Sequence, residues 1–128
     1  MIKFRYTILY VENVEASLGF YGRAFGLETG FLHEGKDYGE LVTGETKLAF
    51  SARSLMESLG KDPAIASADA PQFEVALETD DVEAAFARAV AAGAVPKRAP
   101  EHMPWGQVIS YVADPDGYLI EICSTVSG

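Results

Sequence analysis

Tyr6-Thr7-Ile8-Leu9-Tyr10-Val11-Glu12-Asn13-Val14-Glu15-Ala16-Ser17-Leu18 recurs 68 residues later as Glu74-Val75-Ala76-Leu77-Glu78-Thr79-Asp80-Asp81-Val82-Glu83-Ala84-Ala85-Phe86. Leu9/Leu77, Val14/Val82, Glu15/Glu83 and Ala16/Ala84 are identities. Self-similarity at a fixed spacing marks a repeated structural unit. In each copy a β-rich run leads to Asn13 or Asp81, residues whose side chains accept hydrogen bonds from the free N–H groups of a first helical turn. Beyond the cap, apolar residues fall at helical spacing: Val14, Leu18, Tyr21 and Phe25 in the first copy, Val82, Phe86, Ala89 and Val90 in the second.

Gly26 and Gly93 follow the two helices, each suited to the left-handed backbone beyond a helix C-terminus. Three strand-like stretches come next in each half, at about 27–34, 38–43 and 46–53, then about 95–101, 106–113 and 117–124. Each half therefore reads β-α-β-β-β, which makes the chain α+β with two tandem modules. Asp114-Pro115-Asp116-Gly117 joins the last two strands as a hairpin, proline fixing φ and glycine tolerating positive φ. A calcium loop is the competing reading of that acidic turn, but the remaining ligand pattern is missing.

Residues 54–71 are rich in Ala, Ser, Asp and Pro, with a helical turn expected at 54–59 before Gly60. They read as a connector between a first module at about 1–53 and a second at about 72–124. Neither half buries a sheet face by itself, so the expectation is one domain spanning 1–128.

Composition narrows the function classes. The chain has 128 residues, 48% of them hydrophobic, which suits one core. No apolar run reaches the roughly 20 residues of a bilayer span, and the first residues lack a signal peptide's apolar stretch, so a cytoplasmic location and no membrane partner are expected. Ten Lys and Arg against nineteen Asp and Glu give a net charge of −9 with no basic run, which argues against nucleic acid. The single cysteine, Cys123, rules out an intrachain disulfide and a cysteine-rich zinc site. Its apolar surroundings favour a core role over a nucleophilic one.

Two segments resemble signature stretches of the vicinal oxygen chelate superfamily, which comprises the glyoxalases, bleomycin-resistance proteins and extradiol dioxygenases. One is Leu9 through Tyr21 with Phe25-Gly26-Leu27; the other is Trp105-Gly106-Gln107 with Tyr111 through Ile122. The resemblance spans essentially the whole chain. It implies that each module curls into a half-barrel around a cavity and that the chain forms a homodimer whose cavities draw on both copies.

The resemblance also implies a divalent metal held at four pseudo-symmetric places, which fall here on Tyr6, Ala49, Glu74 and Glu121. Tyr6 stands five residues before Val11, where the family's metal-binding members carry His or Gln. A phenol, with a pKa of about 10, is a poor ligand for zinc, nickel or magnesium at neutral pH. The repeat carries Tyr6 onto Glu74. Glu121 lies four residues after Gly117, at the family's carboxylate position, and a shift of 72 residues carries it onto Ala49, which has no donor atom. Neither a closed nor a three-ligand metal site results. His33 and His102 are expected at a strand end and in a loop, away from these positions.

Tyr6 admits both a core and a ligand-contacting reading, and Ala49 that of a small residue giving the cavity room. Glu74 and Glu121 are expected to face one cavity, where two carboxylates raise each other's pKa and suit an amine or hydroxyl ligand or a general base. The competing reading turns Glu121 to solvent or pairs it with Arg53 or Arg5. Trp105, the sole tryptophan, is read as a stacking surface for a planar ligand or as a plug between subunits. Ser51 and Arg53 follow Ala49 along the same expected strand, with Arg53 either anchoring an anion or standing solvated at the strand end.

Together these readings favour a metal-free protein that binds a small, partly aromatic molecule and needs no cofactor. The alternative is a metal-dependent lyase, isomerase or dioxygenase using Glu74 and Glu121. A third possibility is a domain that only dimerises or docks to a partner.

Overall fold

The structure is a computed structural model that describes residues 1–126. It divides into two compact units, one ending at Ile65 and the other starting at Ala66. The division falls inside the expected 54–71 connector.

The first unit runs β1 (Tyr6–Val11), α1 (Val14–Phe25), β2 (Thr29–Leu32), β3 (Tyr38–Leu41), β4 (Lys47–Ala52) and α2 (Arg53–Ser58). The second runs β5 (Val75–Glu78), α3 (Val82–Ala91), β6 (Val95–His102), β7 (Val108–Ala113) and β8 (Leu119–Cys123). Each unit holds a four-stranded sheet, in the orders β1-β4-β3-β2 and β5-β8-β7-β6. In each, the first strand pairs parallel to the last and the remaining pairs are antiparallel. The two tandem β-α-β-β-β modules expected from the repeat are therefore present.

Both helix starts are capped as the sequence suggests. Asn13 Oδ1 accepts from the Ala16 N–H at 3.0 Å and Asp81 Oδ1 from the Ala84 N–H at 3.1 Å. Gly26, at φ 70°, closes α1 in the left-handed conformation. The buried face of α1 is wider than the four expected positions: Val14, Ser17, Leu18, Phe20, Tyr21 and Ala24 are buried, while Phe25 is only partly so. Phe20, Tyr21 and Phe25 form a mutual aromatic cluster, and Tyr21 reaches Phe50 of β4 with ring centroids 5.1 Å apart.

That contact shows which way β4 faces. Phe50 points to α1, so its neighbours Ala49 and Ser51 point to the opposite face. Gly39 gives the same answer for β3, because a Cβ there would lie 2.8 Å from Leu18 Cδ1 and 3.1 Å from Val14 Cγ1. Tyr38 and Glu40, on either side of it, face away from the helix. In the second unit Val112, Ile120 and Ile122 are buried with Val82 and Ala89, leaving Tyr111 and Glu121 on the outward face.

Several boundaries differ from expectation. Residue 53 belongs to α2 rather than to a strand, because the chain turns from the β-rich Lys47–Ala52 run into helix formers whose Met56 is buried. The expected helical turn at 54–59 lies at Arg53–Ser58. His102 is the last residue of β6, not part of a loop, and His33 lies beyond the end of β2. β6 carries Pro96 and Pro100 with interrupted register against β7, which an edge strand tolerates.

The Asp114–Gly117 turn is closed by its own backbone. Asp114 Oδ1 accepts from the N–H groups of Asp116 and Tyr118, both at 2.9 Å, and the Gly117 N–H donates to the Asp114 carbonyl at 3.0 Å. The buried Asp114 carboxylate thus serves the hairpin, which favours the structural reading of this turn over calcium.

Candidate functional site

Each sheet has one face on its helix and one face turned away, and the chemistry lies on the outward faces. In the first sheet the parallel register pairs Tyr6 with Lys47, Ile8 with Ala49 and Tyr10 with Ser51. Tyr6, Ala49 and Ser51 therefore share the outward face. Ala49 and Ser51 are buried in its floor, while Tyr6 is 47% exposed. Arg53 does not join them: it begins α2, and its Nη2 donates to Glu12 Oε2 at 2.8 Å. The reading of Arg53 as a solvated strand end is thereby corrected, since its side chain is largely buried and held by Glu12.

Two residues passed over in the sequence complete this face. Glu40 lies opposite Ala49 in the β3–β4 ladder and Tyr38 opposite Ser51. The Tyr38 hydroxyl donates to Glu40 Oε2 at 2.8 Å. Burial, the bond to Glu40, the Glu40 charge and then Tyr6 together hold the Tyr38 hydroxyl well above the ordinary phenol range. Phe31 of β2 adds a ring 6.3 Å from that of Tyr38.

In the second sheet Glu121 lies opposite Tyr111, and the Tyr111 hydroxyl donates to Glu121 Oε2 at 3.1 Å. Glu74 immediately precedes β5, two residues before Ala76, the parallel partner of Glu121. Glu74 stands within the field of Glu121: desolvation, followed by the Glu121 charge, raises the carboxyl of this exposed residue above its ordinary value, and the nearby Tyr111 hydroxyl opposes the shift. Burial, the Glu121 charge and its hydrogen bond push the Tyr111 hydroxyl up to about 12. Glu121 is thus engaged by Tyr111 rather than turned freely to solvent.

Cys123 follows on the same face as Glu121. Burial and then the charges of Glu121 and Glu78 raise its thiol, which disfavours the thiolate and fits a core residue. Trp105 stands in the β6–β7 connection, 57% exposed, and its indole N–H donates to Gln107 Oε1 at 2.8 Å. Gln107 in turn donates to the Ser124 carbonyl at 3.0 Å, so the indole is tied to the end of the Glu121 face.

The family resemblance implies a divalent metal, and the donors within each unit do not fit one. The first unit offers a phenol and a methyl at Tyr6 and Ala49. The second offers two carboxylates, of which Glu121 already accepts from the Tyr111 hydroxyl. Among the described residues, no group of three or more His, Cys, Asp or Glu is placed to hold a metal ion. His33 is exposed, with Nδ1 accepting from the Gly35 N–H at 3.1 Å, and His102 is exposed on the edge strand β6.

With this geometry in place, residues 3–122 match the model of the glyoxalase/bleomycin resistance protein/dioxygenase superfamily. The chain belongs to that superfamily. Among solved structures, it resembles a glyoxalase-related enzyme from Fulvimarina pelagi at 26% identity and a TM-score of 0.83, covering 98% of this chain and 89% of the other. A protein of unknown function from Agrobacterium tumefaciens is similar at 26% identity and a TM-score of 0.78, over 98% and 95% of the two chains. A superfamily enzyme from Burkholderia phytofirmans shares the fold at 21% identity and a TM-score of 0.77, over 96% and 98%. A comparison with curated proteins found no match. Among the described residues, no helix of this superfamily member is long and apolar enough to cross a membrane.

Proposed function

We propose that this superfamily member binds a small, partly aromatic molecule without a metal, in the cytoplasm, on the outward sheet faces, with cavities completed by a second copy of the chain. The observation that carries this reading is the arrangement around Glu121: a half-buried Tyr111–Glu121 pair beside Glu74, and an exposed indole held in one orientation by Gln107. Because the Trp105 N–H is already bonded, its ring face is left for stacking. The polar groups fix a ligand's orientation and the indole supplies apolar contact, the usual division of labour in a small-molecule site.

Homodimer formation accounts for the exposed apolar residues Phe4 and Ile8 at and before β1, an edge of its sheet. The fluorescence of Trp105 provides the test. Planar aromatic compounds are titrated into chelator-treated protein. Saturable quenching is expected, weakened by Trp105-independent means in Glu121→Gln and Tyr111→Phe, which keep the fluorophore. If binding appears only after a divalent metal is restored, the metal-dependent reading through Glu74 and Glu121 replaces this one. The absence of binding across the panel, with or without metal, refutes both.

A further inference from the structure

We infer that the outward face of the first sheet recognises an organic cation, the ammonium of a ligand sitting on Glu40 and its apolar body lying against Tyr38, Phe31 and Tyr6. This names the ligand chemistry of the binding function proposed above and rests on it.

The argument starts from the carboxylate missing at Ala49. In the second sheet the ladder pairs Tyr111 on β7 with Glu121 on β8; in the first, the corresponding pair is Glu40 on β3 with Ala49 on β4. The carboxylate has moved one strand across while staying on the same face. Directly opposed residues hold their Cβ atoms about 4.5–5.5 Å apart, so Glu40 still reaches the space over Ala49. Both faces thus present a Tyr–Glu hydrogen bond, Tyr38 to Glu40 and Tyr111 to Glu121, built from different positions.

Glu40 is partly buried and bonded by the Tyr38 hydroxyl, and among the described residues no cation pairs with it. Lys47, which β4 places on the same face, makes no ion pair with it. The surrounding rings are open, Phe31 at 48% and Tyr6 at 47% exposure. A carboxylate without a counter-cation, flanked by exposed aromatic rings, suits an organic ammonium through charge-assisted hydrogen bonding and cation–π contact. The same face already holds one such contact, independent of Glu40: the Lys61 ammonium stands 5.3 Å from the centroid of the Tyr10 ring and donates to its hydroxyl at 3.0 Å.

Benzylamine, benzyl alcohol and benzoate, alike in shape and different in charge, test the inference by shift-perturbation titration of isotope-labelled protein. Benzylamine is expected to bind most tightly and benzoate least, with the largest shifts at Tyr38, Glu40 and Ala49. Glu40→Gln preserves an acceptor for Tyr38 and is expected to weaken benzylamine roughly tenfold, to the level of benzyl alcohol. Wild-type protein supplies a second readout that needs no variant: added salt weakens benzylamine and spares benzyl alcohol. Equal affinity for benzylamine and benzyl alcohol, salt-insensitive benzylamine binding, or an unchanged affinity in Glu40→Gln overturns the cation site. Those outcomes leave aromatic binding intact, whereas failure of all three compounds to bind counts against the proposed function itself.

Discussion

Gly117 and Gly44 form a matched pair that separates backbone strain from packing. Their φ angles are nearly the same, +91° and +94°. Replacing either with alanine forces a side chain into the positive-φ region, at a cost of about 1–2 kcal/mol. At Gly44 a new Cβ meets nothing within 4 Å, so the cost ends there. At Gly117 the methyl is driven into the carbonyl oxygen of Ala66 and lies 3.0 Å from its carbonyl carbon. Both obstacles are backbone atoms, so the Ala66–Ser67 segment or the hairpin must shift, adding about 1–3 kcal/mol. Gly117→Ala should therefore destabilise by about 2–5 kcal/mol and Gly44→Ala by about 1–2 kcal/mol. For a chain of this length about 1 kcal/mol moves the melting midpoint by roughly 3–5 °C, so Gly117→Ala melts about 3–15 °C below Gly44→Ala. Thermal unfolding followed by circular dichroism decides the matter. A Gly117→Ala midpoint equal to or above that of Gly44→Ala would refute the close packing of the connector against the hairpin.

Two further outcomes follow from the same structure. The Glu74 carboxyl titrates above its ordinary value of 4.5, so the folded chain holds that proton more tightly than the unfolded chain. Stability relative to Glu74→Gln is therefore lost as pH rises from 4.5 through the raised pKa and is level above it. Melting curves of the two proteins across that range check the sign, and a gap that instead narrows with rising pH contradicts the assignment. Asn13→Ala and Asp81→Ala each remove a helix cap bond and are expected to cost about 0.5–2 kcal/mol by urea denaturation.

The modules were legible because the chain states their plan twice. The Asn13 and Asp81 caps, the spacing of apolar residues behind them and the Asp114–Gly117 turn are local signals, and each needs only a few neighbouring residues to be read. The proximity of Glu74 and Glu121 was legible for the same reason, since the repeat places Glu74 just before the strand that pairs with the one carrying Glu121. Arg53 was misread because a strand end and a helix start look alike when the deciding partner, Glu12, is 41 residues away. Glu40 was missed for a related reason. A carboxylate shifted to the neighbouring strand leaves no trace in a residue-by-residue alignment of the two halves, and only the β3–β4 register reveals it opposite Ala49. Tyr111 and Gln107 likewise acquire their roles through cross-strand and loop hydrogen bonds to Glu121 and Trp105.

The most direct test of metal-free binding is native mass spectrometry combined with elemental analysis of untagged protein purified without chelators. The expected result is a dimer with only trace metal, carrying an organic adduct that is lost in Glu121→Gln. About one equivalent of zinc, nickel, iron or manganese per chain, lost in Glu121→Ala, would contradict it.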